Sequence, residues 1–216
     1  MRLLIDLDNT LVDRDAAFRA WVRSTVRGSG GDDDDGIAAL LAADDHGYGD
    51  RAEVVRALRD ATGLTDEDAI LRDRVMTEHV ELIRCYPGVV EALRRLREGG
   101  VHIAVVSNGT GRQQRAKIAR AGLTGLLDGI VLSEEVGVAK PDPRIFAAAC
   151  AGTEDGEQIW MIGDNPRADV LGARDAGLPA IWVSHGRGWP SDHGARPTTV
   201  ESTTAALELI AAQFTS

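Results

Sequence analysis

The sequence predicts an α/β fold, a five-stranded parallel sheet with a block of helices inserted after the first strand. Five short apolar runs carry the sheet: Leu3–Ile5, Ile103–Val106, Gly129–Leu132, Ile159–Ile162 and Ala180–Val183. Helix signals separate the later runs, and alternation of strand and helix is the pattern of a parallel sheet. More than ninety residues between Asp6 and His102 hold no convincing strand, although a βαβ crossover needs only one helix. The surplus reads as an insert.

Each strand run is bounded by Gly, Pro, Asn or Asp and is too short for a globular helix. None alternates with polar residues, as expected of strands covered on both faces. The insert is expected over residues 14–84, with helices at Ala16–Val26, Ile37–Ala43, Arg51–Ala61 and Asp66–Ile83. The Gly- and Asp-rich stretch from Gly28 to Gly36 reads as a flexible loop inside it. Beyond the insert, Val89, Leu93 and Leu96 share one face after Pro87-Gly88, and Arg112–Ala121 is closed by Gly122. Asp142-Pro143 opens Arg144–Ala151 with an N-cap and a first-position proline. Asn165-Pro166 repeats that signal, and Gly177 stops the segment after Ala176. A last amphipathic run covers Thr204–Phe214. The organisation is thus a core of residues 1–13 and 85–216 and an inserted helical domain of residues 14–84, without internal repeats.

Composition narrows the function. The 216 residues fit one domain plus an insert better than two full domains of ~150 residues each. With 44% apolar and 27% charged residues, the chain can bury a core. A net charge of −10 argues against a nucleic-acid polymer as partner, while a local basic site remains able to hold a phosphate. The longest apolar runs are seven residues, against the ~20 of a membrane helix, so no membrane association is expected. Asp6 and Asp8 stand where a signal peptide would need its apolar stretch, and a cytoplasmic location is expected. Cys85 and Cys150 read as buried thiols in a reducing compartment.

Chemistry gathers at the strand ends. Asp6-Leu7-Asp8-Asn9-Thr10 closes the first strand and Ser107-Asn108-Gly109 the second; Gly163-Asp164-Asn165 closes the fourth, with Asp169 one turn further on. Lys140 stands in the loop before the Asp142 helix. Taken singly, Asp6 and Asp8 fit a polar strand-to-loop transition, Ser107 a turn, Lys140 a solvated charge, and Asp164 or Asn165 a helix cap. Jointly they fall at the carboxyl edge of one sheet, where open α/β sheets bind ligands. Two carboxylates ~4 Å apart repel by about 4 kcal/mol at an effective dielectric of 20. Gathering four there calls for a cation or raised pKa values. All-oxygen ligands beside a phosphate favour Mg²⁺, and Lys140, the Ser107 hydroxyl and the amides after Gly109 suit the phosphate itself.

The ordered set Asp6-Leu7-Asp8-Asn9-Thr10, Ser107-Asn108-Gly109, Lys140-Pro141 and Gly163-Asp164 with Asp169 resembles the four motifs of the haloacid dehalogenase-like hydrolase superfamily. The resemblance implies a Rossmann-like core with a mobile helical cap inserted after the first strand. It implies Asp6 as nucleophile, forming an aspartyl-phosphate, and Asp8 as the acid and then the base. Mg²⁺ would be held by Asp6, the main-chain carbonyl of Asp8 and Asp164, with Asp169 supporting. Thr10, Ser107, Asn108 and Lys140 would bind or orient the phosphoryl group. True dehalogenases lack an acidic residue at the position of Asp8, so the resemblance favours a phosphatase, one acting on a small phosphorylated metabolite such as a nucleotide monophosphate or sugar phosphate.

A phosphomutase of the same family, a non-catalytic phosphometabolite-binding module and a phospho-accepting receiver domain are the competing readings; the last is much shorter and has no such insert. Substrate choice is expected in the inserted domain, with Arg14, Phe18 and Trp21 as candidates and His46 and Tyr48 on a loop; Phe18 and Trp21 read equally well as core. No Gly-Lys-Ser/Thr P-loop occurs. The aspartates before Gly36 do not fit an EF-hand, whose first and last ligands would fall on Gly31 and Ala42.

Overall fold

The structure, a computed structural model, describes residues 1–30 and 34–213. The chain divides into two compact units: Met1–Val12 together with the chain from Cys85 onward, and Asp13–Arg84.

The first unit is built on strands β1 (Arg2–Ile5), β2 (His102–Ser107), β3 (Gly129–Leu132), β4 (Ile159–Gly163), β5 (Ala180–Val183) and β6 (Thr198–Val200). The sheet has six strands rather than the expected five, in the order β3-β2-β1-β4-β5-β6, and all pairs are parallel. The additional strand is Thr-Thr-Val, a three-residue edge strand with an exposed first residue. Its short, half-polar sequence carries no buried-strand signal. Strand order reverses between β1 and β4, because β1 continues to β2 and β3 on one side while β4 continues to β5 and β6 on the other. Such a switch point opens a crevice at the carboxyl ends. Register puts Ile5 level with Val105 and Ile162, so the residues that follow β1, β2 and β4 arrive at one place.

The helices of the outer layers follow from their caps and apolar faces. Helices α5 (Val89–Glu98) and α10 (Thr203–Ala212) lie in this unit, with α6 (Gly111–Arg120), α7 (Ser133–Val136), α8 (Pro143–Ala149) and α9 (Gly172–Asp175). Asp142 caps α8 by accepting from Arg144 N, with Pro143 at its start. The Asn165-Pro166 segment begins as a π-helix, Pro166–Leu171, before α9. Gly172 is needed here, since a Cβ would stand 2.8 Å from Pro141 Cα. The expected end of the last helix at Phe214 lies outside the described residues. Cys85 and Cys150 are free thiols, half-buried rather than fully enclosed, and burial, aided by Glu91, pushes Cys85 up to about 11.

The second unit is helical: α1 (Arg14–Gly28), α2 (Asp34–Asp44), α3 (Arg51–Thr62) and α4 (Asp68–Thr77), followed by a 3₁₀ segment, Glu78–Leu82. Its core includes Phe18, Trp21, Val22, Leu40, Leu58 and Leu71. Asp13 caps α1 by accepting from Ala16 N at 2.9 Å. The stretch Gly28–Gly36 is not a loop throughout: α1 runs to Gly28 and α2 starts at Asp34, where two aspartates sit in the first turn and suit the helix dipole. Residues 31–33 of that expected loop lie outside the described residues. The expected helix Asp66–Ile83 is also broken. His79 Nδ1 donates to Val75 O at 2.9 Å, and Thr77 Oγ1 donates to Asp73 O at 2.7 Å; such side-chain bonds compete with the helical ladder. Among the described residues no helix is long and apolar enough to cross a membrane.

Candidate active site

Asp6 follows β1 directly, and its amide donates to Ile162 O at 2.9 Å, which extends the β1–β4 pairing to the sheet edge. Lys140 reaches this point from the loop before α8. Its Nζ donates to Asp6 Oδ1 at 2.6 Å, Asp169 Oδ1 at 2.7 Å and Val106 O at 2.7 Å. That loop is pinned by Asn108, which accepts from Lys140 N at 2.8 Å and donates to Lys140 O at 3.0 Å. Asn108 thus engages the Lys140 backbone through both polar ends of its side chain.

Asp164 and Asp169 come from the other side of the switch point. Asp164 follows β4; its main-chain oxygen accepts from Trp182 Nε1 at 2.9 Å, and Trp182 on β5 is among the largest fully buried side chains. Asp169 accepts from Asn165 N at 2.9 Å and lies against Gly163, where a Cβ would fall 2.3 Å from its carboxylate. A side chain at residue 163 would therefore displace Asp169. Thr10 Oγ1 donates to Asp164 Oδ1 at 3.4 Å, and Thr203 Oγ1 donates to Thr10 O at 2.5 Å.

The structure brings Asp6, Thr10, Ser107, Asn108, Lys140, Asp164 and Asp169 to one sheet edge, with Asp8 beside them. Asp6, Asp164 and Asp169 each offer an oxygen within 4.8 Å of the others. Burial is the main reason that Asp6 and Asp164 are each raised from 3.8 to about 7. Lys140 opposes the shift at Asp6 while Asp169 and Asp8 add to it; at Asp164, Asp6 adds and Arg187 opposes. Asp169 is raised by burial, against the pull of Lys140. Burial works to lower Lys140, but the carboxylates of Asp169 and Asp6 outweigh it and hold the ammonium protonated. Three buried, crowded, all-oxygen donors with raised pKa values are a set that a hard divalent cation fits. Asp8 differs: its side chain is 24% exposed, against 6% for Asp6 and 0% for Asp169.

Three residues at this edge are absent from the sequence-based set. Lys117 Nζ donates to both Asp8 oxygens, at 2.8 and 2.7 Å, and Gln114 Nε2 donates to Asp8 Oδ2 at 2.9 Å and Ser107 Oγ at 2.7 Å. Arg187 Nη2 donates to Asp164 Oδ2 at 2.9 Å. Their signal was faint. Gln114 and Lys117 fall on the face of α6 that buries Ile118, so polar residues at an apolar position were the available clue. Arg187 sits in a glycine-flanked loop with no pattern at all.

The substrate candidates in the helical unit are engaged within it. Phe18 and Trp21 belong to its core, and Trp21 Nε1 donates to Glu78 Oε2 at 2.8 Å. Arg14 is buried over the Phe18 ring and paired with Asp44. His46 and Tyr48 remain largely exposed.

A family model described as haloacid dehalogenase-like hydrolase matches residues 2–177. The chain is 36% identical to the pyrimidine 5'-nucleotidase YjjG of Escherichia coli, over 68% of this chain and 66% of that one. It is 39% identical to the phosphoserine phosphatase of Thermus thermophilus, over 65% and 56%, and 31% identical to the phosphoglycolate phosphatase of Agrobacterium fabrum, over 85% and 80%. The first two matches thus span less than two thirds of the relatives' own lengths. Among solved structures, the magnesium-bound YfnB of Bacillus subtilis superposes with a TM-score of 0.78 at 23% identity, covering 97% of each chain. L-2-haloacid dehalogenase of Xanthobacter autotrophicus gives 0.67 at 20%, covering 97% of this chain and 98% of that one; at these identities the likeness is one of fold. The family match over most of the chain, with the carboxylates and lysine gathered at the switch point of the sheet, makes this protein a member of the haloacid dehalogenase-like hydrolase family.

Proposed function

We propose that the protein is a Mg²⁺-dependent phosphatase that hydrolyses a small phosphorylated metabolite, a nucleotide monophosphate or sugar phosphate, through an aspartyl-phosphate on Asp6. The observation that carries this reading is the pairing of a buried Asp6, bonded to Lys140, with a more exposed Asp8 two residues later. The relatives named for pyrimidine nucleotides, phosphoserine and phosphoglycolate support the substrate class, because their common element is the phosphate monoester.

The residues divide the work as follows. Lys140 engages Asp6 Oδ1, which leaves Oδ2 as the atom that attacks phosphorus. As that bond forms, the ester P–O bond breaks and Asp8 delivers a proton to the departing oxygen. Water then attacks the phosphoenzyme, Asp8 takes its proton, and the bond between phosphorus and Asp6 breaks to release inorganic phosphate. Ser107 binds the phosphoryl oxygens, while the Gly109 and Gly111 amides are taken by Ser133 Oγ and Glu134 Oε2; Asn108 holds the Lys140 loop in register, and Thr10 orients Asp164. Asp6, Asp164 and the main-chain carbonyl of Asp8 would hold the Mg²⁺, with Asp169 in support. When bound, the ion offsets the repulsion between a phosphate dianion and a carboxylate nucleophile. Substrate choice beyond the phosphate is assigned to the helical unit.

The test is phosphate release from a panel of nucleotide and sugar monophosphates, with and without Mg²⁺, in the native protein and Asp6→Asn. Mg²⁺-dependent turnover that falls by about 10⁴-fold or more in the variant is expected. Turnover that survives the substitution would overturn the covalent mechanism. Transfer of the phosphoryl group to a second hydroxyl of the substrate, in place of release, would identify a mutase.

A further inference from the structure

We propose that Gln114 and Lys117 are positioning residues that fix the Asp8 carboxylate for both proton transfers and tie it to the phosphate-binding hydroxyl of Ser107. This rests on the phosphatase reading above. Lys117 donates to both oxygens of Asp8, and Gln114 donates to Asp8 Oδ2, to Ser107 Oγ and to Asn108 O at 3.3 Å. The two side chains stand three residues apart on α6 and so share a face. That helix starts immediately after the Ser107-Asn108-Gly109 turn. One rigid element therefore sets both the phosphate loop and the group that moves the proton.

Packing alone does not account for the pair. Lys117 and Gln114 are almost fully buried, beside Ile118 on a face where apolar side chains would avoid the desolvation of an ammonium and an amide. Gln114 also leaves its Oε1 buried without a hydrogen-bond partner, a costly arrangement for a residue present only to fill space. The backbone makes room for it. Gly109 has a φ of +144°, and a Cβ there would stand 3.0 Å from Gln114 Cδ. Three donor contacts on one carboxylate remove its rotational freedom, and Asp8 keeps about a quarter of its side chain open to solvent. A small misplacement of a group that transfers protons costs on the order of 10²-fold in rate.

The reaction provides a selective readout. A p-nitrophenyl ester departs without protonation, so its first step does not need Asp8 as acid; an alkyl phosphate does. The second step needs Asp8 as base for either substrate. We expect Lys117→Met and Gln114→Met to lower kcat on an alkyl phosphate by about 10- to 100-fold, with KM little changed in Lys117→Met. On p-nitrophenyl phosphate the first turnover should stay within about threefold and show a burst of nitrophenolate, because the phosphoenzyme accumulates. Lys117→Arg, which keeps a charged donor, should recover most of the loss. In an Asp8→Ala background, Lys117→Met should change the residual rate by less than about twofold, since residues that act through one another are not additive.

An equal loss on both substrates without a burst, or a full additional loss in the Asp8→Ala background, would overturn the proposal. Near-ultraviolet dichroism identifies any variant that does not fold, in which case the remaining variant of the pair decides. A native protein with no Mg²⁺-dependent phosphate release would instead overturn the phosphatase reading, and this is known before any variant is compared.

Discussion

The sheet unit and the helical unit each hold an ionic cluster, and the two have different balances. In the helical unit two carboxylates face two guanidinium groups: Asp44 accepts from Arg14 and Arg51 and from Gly47 N at 3.1 Å, and Asp15 accepts from Arg14 at 3.5 Å. Arg51 also donates to Gly49 O and Gly47 O. This cluster fastens the turn that follows α2, where Asp45 and His46 adopt φ of +43° and +55°. Each such residue costs about 1–3 kcal/mol unless its surroundings hold it. In the sheet unit four carboxylates, Asp6, Asp8, Asp164 and Asp169, face three cations, Lys117, Lys140 and Arg187. Matched charge makes a fastener; negative surplus around a crevice makes a place for an added cation. The difference teaches that burial of charge alone does not mark a site, and that the sign of what is left over does.

The largest effect is expected from removing the cation that the sheet cluster shares. Lys140→Met should lower phosphate-ester turnover by about 10³-fold, because it withdraws the charge that offsets the phosphate; steady-state kinetics on the best panel substrate reads this. A loss under tenfold would mean that Lys140 serves the fold alone. The matching change in the helical unit should leave chemistry for stability. Asp44→Ala leaves the buried Arg14 with only the longer contact to Asp15 and should cost about 3 kcal/mol in urea denaturation, with a loss below about 1 kcal/mol removing the fastener from the comparison.

The smallest expected effect is a slope with pH in metal-free protein. Burial raises Asp6 and Asp164 from 3.8 to about 7, so the folded state binds more protons than the unfolded chain between those values. Stability from these two groups is therefore fully present below about pH 4 and is lost as the pH rises through about 7. Thermal melts at pH 5 and pH 8 should show the metal-free protein less stable at the higher pH, and Mg²⁺ should narrow the gap. A gap unchanged by Mg²⁺ would separate the acid cluster from metal binding.

Much of this site was legible because its parts obey short-range rules. Parallel strands buried on both faces read as unbroken apolar runs, and Asp6, Ser107 and Asp164 stand at the ends of three of them. Asp142 and Asn165 announce their helices through the residues that follow. β6 was not legible, since three residues at an edge carry neither length nor apolar contrast. Lys117 and Gln114 were hidden for a different reason: in a helix rich in Arg, Lys and Gln, only the helix phase separates a buried ammonium from solvated ones. Arg14, Phe18 and Trp21 looked available to a substrate because sequence shows their chemistry and not their partners; Asp44 lies thirty residues from Arg14 and Glu78 fifty-seven from Trp21.

The two backbone crossings between the units have a consequence for modularity. Asp13 N donates to Arg84 O at 3.0 Å, and Val12 bridges Cys85, so the helical unit enters and leaves through adjacent residues. To the sheet, everything between them is one surface loop. Lengthening a loop is cheap, about 0.6 kcal/mol for each doubling. A helical unit of another size or sequence, grafted between Val12 and Cys85, would therefore disturb the folding of the sheet no more than a long insertion does. The seam marks where a chimaera can be cut.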